Sequence, residues 1–185
     1  MGKGKRTAPA PEPASLLRRA GAFLIDWYVG ALATALPIAV IAMQLGRDMT
    51  DQNIVAYEGS WGLIAGLLGI LFGIVYYAGA PLLMRGQTLG KRVCGVRIVA
   101  KDGSEASPLA LLGRQVLGLM LIEGASVGTS TVVWQVFHIV TGVDVLVNAM
   151  AVGTVVTLAS IAVAGLSTGH RAIHDMVFGT MVTAA

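Results

Sequence analysis

Long apolar runs alternate with short polar ones along this chain. A crossing of the hydrocarbon layer needs roughly 20 consecutive apolar residues. Four stretches reach that length, at about 21–45, 61–84, 115–140 and 143–166. They predict an all-α, polytopic membrane helical bundle of about four transmembrane helices. The third is the least regular. It contains Glu123, Gln135 and His138, and a Gly/Ser/Thr-rich stretch over 124–131. It reads as one span, as a broken helix, or as an interfacial helix from Pro108 followed by a shorter span. Only Thr141-Gly142 separates it from the fourth, which predicts a tight hairpin.

The polar loop 85–114 has a pattern of its own. Leu89, Val93 and Val96 follow helical spacing, so a short interfacial helix is expected there. Residues 96–99 alternate, and Lys101-Asp102-Gly103-Ser104 is a turn sequence, which together predict a small hairpin at the interface. In the second span Gly62, Gly66, Gly69 and Gly73 fall on one helical face. A face without side chains admits another backbone closely, either from this chain or from a second copy.

Composition agrees with the pattern. Charged residues are 12% of the chain, against about 25% in an average soluble domain, and mean hydropathy is +0.75. The 185 residues suffice for one bundle. Residues 1–15, rich in Lys, Pro and Ala, are expected to be a disordered cytoplasmic tail, and 16–185 a single domain. Arg6 breaks a myristoylation signal, and Asp26 interrupts the apolar core that a cleaved signal ending at Ala31-Leu32-Ala33 would need. Cys94 is the one cysteine, so no internal disulfide forms.

Charge sets the direction. With both termini inside, twelve of the thirteen Lys and Arg residues are cytoplasmic and only Arg47 is outside. That asymmetry predicts cytoplasmic termini and a multi-pass protein of the bacterial inner membrane. The positive charges sit at membrane boundaries, so the basic balance points to anionic lipid headgroups and not to nucleic acid.

This orientation brings three polar segments to one membrane face. Arg19 and Asp26 are two helical turns apart on one face, with Asp26 about 10 Å deeper at ~1.5 Å per residue. They form an ion pair, or Asp26 accepts hydrogen bonds from a neighbouring helix. The second segment is Arg85 to Val93. Its glycines resemble a phosphate loop, but the spacing is one residue short and Arg92 replaces the magnesium-holding hydroxyl. The third is His170-Arg171-Ala172-Ile173-His174-Asp175, where Asp175 is expected to pair with Lys91, Arg92 or Arg171. The two histidines are four apart, but no third ligand shares their face, so no metal is expected, and no cofactor. The polar cytoplasmic network is therefore Arg19, Asp26, Lys91, Arg92, Arg171, His174 and Asp175. Glu123, within the third span and with no cation nearby in sequence, joins Asp26 as a candidate ion or proton site.

Together these segments resemble the RDD family of small bacterial membrane proteins, named for an arginine and two aspartates. Arg19, Ala22, Ile25 and Asp26 match its first-helix pattern. Gly86, Gln87, Thr88, Gly90, Lys91 and Arg92, then Gly95, Val96, Arg97 and Val99, match its middle signature. Arg171, His174, Asp175, Gly179 and Thr180 match its terminal one. The resemblance covers about residues 15 to 182. It implies a small transporter, ion or proton exchange being ascribed to some members, or a membrane adaptor. No nucleophile motif accompanies the Ser, His and Asp residues, so no enzyme is expected. Two functions follow as expectations. One is transport of a cation, proton or small solute, possible in a homo-oligomer. The other is an accessory subunit of a larger membrane complex, docked through the glycine face and gripping anionic lipid.

Overall fold

The computed structural model describes residues 12–124 and 127–185. Helix α1 (Leu16–Gln44) opens where Ser15 accepts a hydrogen bond from the Arg18 amide. Its buried positions Ala22, Asp26, Gly30, Thr34, Ile38 and Ile41 recur every three or four residues and form one stripe. The opposite face carries Leu24, Leu32, Leu36 and Val40, all exposed. An apolar outer face on so long a helix suits lipid rather than water. Among the described residues three helical stretches are long and apolar enough to cross a membrane: Leu16–Gln44, Trp61–Leu83 and Leu146–Leu166.

The second stretch consists of α2 (Trp61–Ile74), a π-helical turn (Val75–Gly79) and α3 (Ala80–Leu83). Its four glycines face inward. A Cβ at Gly66 would overlap Val136, one at Gly69 would crowd Ile38 and the Thr34 carbonyl, and one at Gly73 would overlap Thr129. The face left open between two partners is thus filled by this chain, by α1 and by α6 (Gly128–Thr141). Thr34 and Thr129 join hydroxyls across that contact at 2.6 Å.

The third predicted span is not one helix. Ser107 caps α5 (Pro108–Leu112), which runs on as a π-helical segment (Gly113–Ile122). The π-helical segment ends at Ile122, and α6 begins at Gly128. Just past the end of that segment, Thr157 donates to the Glu123 carbonyl at 2.6 Å and satisfies it. Gly142, at φ 72°, ends α6, and α7 (Leu146–Leu166) starts four residues later, so the connection is longer than Thr141-Gly142.

The all-α expectation needs one correction. After α4 (Leu89–Val93), strand β1 (Val96–Ala100) does pair, but with the last residues of the chain. Strand β2 (Thr180–Ala184) follows α8 (Ile173–Val177) and lies antiparallel to β1, with Ile98 opposite Val182. The expected local hairpin keeps its turn, where Asp102 accepts from the Ser104 amide at 3.0 Å, yet contributes only the single bridge Val99 to Glu105. On the other edge of β2, Pro13 bridges Thr183 and the Ala14 amide donates to the Val182 carbonyl at 2.9 Å. Residues 13 and 14 therefore belong to the sheet; residues 1–11 of the expected tail lie outside the described residues. Ala14, Ala22, Val96, Ile98, Leu111 and Val182 form the core under this sheet. At the far end of α1 a second core gathers Ile38, Ile41, Ala42, Ile54, Tyr57, Ala65 and Val132.

Candidate functional site

Asp26 is 3% exposed, inside α1, and collects donors from two other segments. The π-helical turn widens the second stretch so that consecutive tyrosines reach one residue. Tyr76 donates its hydroxyl to Asp26 Oδ1 at 2.7 Å, and Tyr77 donates to the Asp26 carbonyl at 3.1 Å. Tyr77 fits because Gly30 has no Cβ to overlap its ring. The start of α4 supplies the rest. Thr88 caps that helix and donates its hydroxyl to Oδ2, the Gly90 amide donates to Oδ1 at 2.8 Å, and Lys91 Nζ lies 3.0 Å from Oδ2. A Cβ on Gly90 would strike the Ala22 carbonyl and the carboxylate itself. The Gly-rich sequence is thus a cradle for a carboxylate of the same chain. Burial holds Lys91 below its ordinary range, against the pull of Asp26.

Asp175 is the second centre and is fully buried. Its Oδ2 accepts from Arg19 Nη2 at 2.6 Å and from the Ala172 amide at 3.1 Å, which closes the first turn of α8. Its Oδ1 accepts from Arg114 Nε at 2.9 Å and from the Thr180 hydroxyl at 3.2 Å. Burial alone would raise its carboxyl, but Arg114, His174 and Arg19 outweigh it and hold the group well below the usual range. Arg19 also donates to the His170 carbonyl, and Arg171 to the carbonyls of Thr180 and Asp175.

Arg114 links this centre to Glu123. Its Nη2 lies 3.0 Å from His174 Nε2, and His174 Nδ1 lies 2.8 Å from Glu123 Oε2. A guanidinium only donates, so Nε2 must be bare and the proton sits on Nδ1, which donates to the carboxylate. His174 is therefore a neutral imidazole between a cation and an anion. Burial, then Arg114, push it below its ordinary value of 6.5. Glu123 Oε1 accepts from the Ser160 hydroxyl at 2.8 Å and the His174 amide at 3.2 Å. Carboxylate and imidazole meet at the gap between two helices.

The RDD family model matches residues 13–179. The chain belongs to the RDD family. A relative from Bacillus subtilis (strain 168), the uncharacterized protein YckC, is 27% identical over 175 residues, covering 94% of this chain and 86% of its own length. No solved structure matches the chain.

In this RDD-family membrane protein the named residues do meet at one end; Asp26 accepts from a neighbouring helix, one of its two expected readings, while the ion pairs have other partners than expected. Arg19 does not pair with Asp26. Two turns of α1 separate them, and each finds a nearer partner across the chain, Asp175 and Lys91 respectively. Asp175 takes its side-chain charges from Arg19 and Arg114, while Arg171 reaches only its carbonyl. Arg92 is exposed, so Lys91 alone of that pair enters the network. The two C-terminal histidines diverge: His170 Nδ1 lies by the Ala164 carbonyl, and His174 turns to Glu123. Thr88 was read only as part of the middle signature, and Arg114, Tyr76 and Ser160 were missed. Arg114 stands at the edge of an apolar run, while Tyr76 and Ser160 are single polar groups inside one.

Proposed function

We propose that this RDD protein is a small, non-enzymatic transporter that exchanges a cation or proton, with the Glu123–His174 pair as its exchange site. The reading is supported by one observation above all: a buried carboxylate hydrogen-bonded to a neutral imidazole where a membrane-embedded helix breaks. Ionisable groups at helix breaks mark ion and proton paths in membrane proteins. Protonating His174 removes the acceptor of Arg114 and puts two cations side by side, which loosens the contact of α8 with the helical break. That gives the exchange a structural consequence. Asp26, surrounded by donors, acts as the lock joining α1 to α4. The protein crosses the bacterial inner membrane four times with both termini in the cytoplasm, and its cationic end rests on anionic lipid. This orientation is supported by the distribution of Lys and Arg.

In proteoliposomes Glu123→Gln should reduce flux at least tenfold while elution and melting stay near wild type. Undiminished flux in the folded variant sinks the exchange site. The accessory-subunit reading keeps one support. Only 17% of the most apolar stretch of α7 is buried, against 28% for α1 and 33% for the second stretch. With the glycine face consumed internally, α7 is the surface a partner helix would use. Purification in mild detergent followed by mass spectrometry separates the readings, because a stoichiometric companion favours the subunit.

A further inference from the structure

The end of the molecule away from the sheet holds a cleft of about 430 Å³. It lies between the loop after α1 and the α6–α7 connection. Gln52, Asn53, Trp134, Gln135, His138 and Asp144 line it. Its volume falls in the range of small-molecule sites, roughly 300–1,000 Å³. Among the described residues no lysine or arginine lines it. The one arginine at this end, Arg47, is already engaged: its Nη2 lies 2.8 Å from Asp51 Oδ2, and its guanidinium sits 5.0 Å from the Tyr57 ring centre. Asp48, Asp51, Glu58 and Asp144 leave this end with four acids against that one cation. The field here draws cations and repels anions.

The lining adds specificity to the field. Gln135 is 6% exposed, and its carbonyl accepts from the Ile54 amide at 2.9 Å, which fixes the side chain in the floor of the cleft. Trp134 is braced edge-on by Phe137, ring centres 6.1 Å apart. Asp144 Oδ1 accepts from the Leu146 amide at 3.1 Å, and His138 Nδ1, at 3.8 Å, is beyond hydrogen-bond length, so Oδ2 keeps its acceptor capacity. An indole wall beside a carboxylate is the chemistry that holds an alkylated ammonium group.

We propose that this cleft binds a small alkylammonium cation, with Asp144 as counter-charge, Trp134 as aromatic wall and Gln135 as polar floor. The cation is the transported solute only if the transporter reading holds; binding stands without it. The test is saturation-transfer NMR on the full chain in phosphatidylglycerol nanodiscs, with tetramethylammonium as probe and tert-butanol as its neutral counterpart. Tetramethylammonium should give a signal and tert-butanol none. Asp144→Asn and Trp134→Leu should each weaken it by about fivefold, the scale of losing one partly desolvated charge or cation–π contact. Asp144 has a 65% exposed side chain, so its variant should fold. Competition of the signal in phosphatidylcholine nanodiscs assigns the ammonium group to a lipid headgroup, and persistence assigns it to a soluble solute. Equal signals from both probes, or an unchanged signal in Asp144→Asn, overturn the proposal. The readout needs no flux, so its failure and that of the Glu123 experiment are separate results.

Discussion

At the scale of single residues, Asp175 has the most to lose. It sits at 0% exposure between two guanidiniums and makes four side-chain hydrogen bonds. Asp175→Asn leaves Arg19 and Arg114 facing each other without their shared counter-charge, which should cost about 3–5 kcal/mol, the usual result of removing one member of a buried ion pair. Chemical unfolding in detergent measures it. Gly90→Ala should cost about 1–3 kcal/mol, because the added methyl displaces a charged hydrogen bond. Gly165→Ala is its control, since a Cβ there meets nothing within 4 Å. His174 sets a pH dependence. Its pKa is lowered in the folded state, so the unfolded chain binds the proton more readily. Stability is then complete above about pH 6.5 and falls as the pH drops below it. The carboxyl of Asp175, also lowered, weakens the fold only below its ordinary 3.8. Melting temperature measured between pH 7.5 and 5 should fall in the wild type, and His174→Gln should flatten that decline. These residues were legible as a set, because polar groups at the ends of apolar runs must find partners. Which partner each takes was not legible. Arg19, Lys91 and Arg114 are equivalent in sequence, and only the rotation of α1 and the depth of α4 decide among them.

The same distinction recurs for whole elements. The length of apolar runs identified α1, the second stretch and α7, because a helix facing lipid must be apolar for its full length. The glycine stripe was visible, but its partner was not, since a small-residue face fits any close helix. With α1 and α6 on it, Gly66→Leu should unfold or destabilise the monomer rather than separate a dimer. Size-exclusion chromatography with light scattering distinguishes the two outcomes: a stable monomer eluting after an oligomeric wild type would contradict the packing. Strand β2 escaped notice because Thr-Met-Val-Thr-Ala carries no alternation of polar and apolar residues. It is buried at four of its five positions. Its cue lay elsewhere, in β1, a short strand whose local turn offers it a single bridge. The break at Glu123 was one of the open readings of the third span, and Gly124, a poor helix former, follows directly where the segment ends.

For the molecule as a whole, the sheet constrains how the chain threads a membrane. Strands β1 and β2 are hydrogen-bonded, so residues 96–100 and 180–184 lie on one side. Between them stands α7, long and apolar enough to cross. In the four-crossing topology proposed above α7 is one crossing, and the paired strands then require a second within 101–145. Only the α5 to α6 region offers one. Yet α6 alone has 14 residues, about 21 Å at ~1.5 Å each, short of a hydrocarbon core of about 30 Å. In that proposed topology the preceding π-helical segment supplies the remaining depth, which puts the break after Glu123 inside the hydrocarbon, about 9 Å from its cytoplasmic edge. Single cysteines in a Cys94→Ala background test this threading. Thr141→Cys and Glu58→Cys should react with a membrane-impermeant maleimide from outside intact cells, and Lys101→Cys only after the membrane is opened. Reaction of Thr141→Cys only after opening would mean that α6 and α7 form a hairpin that enters and leaves by the same face. Glu123 would then lie outside any path across the membrane and could not serve exchange.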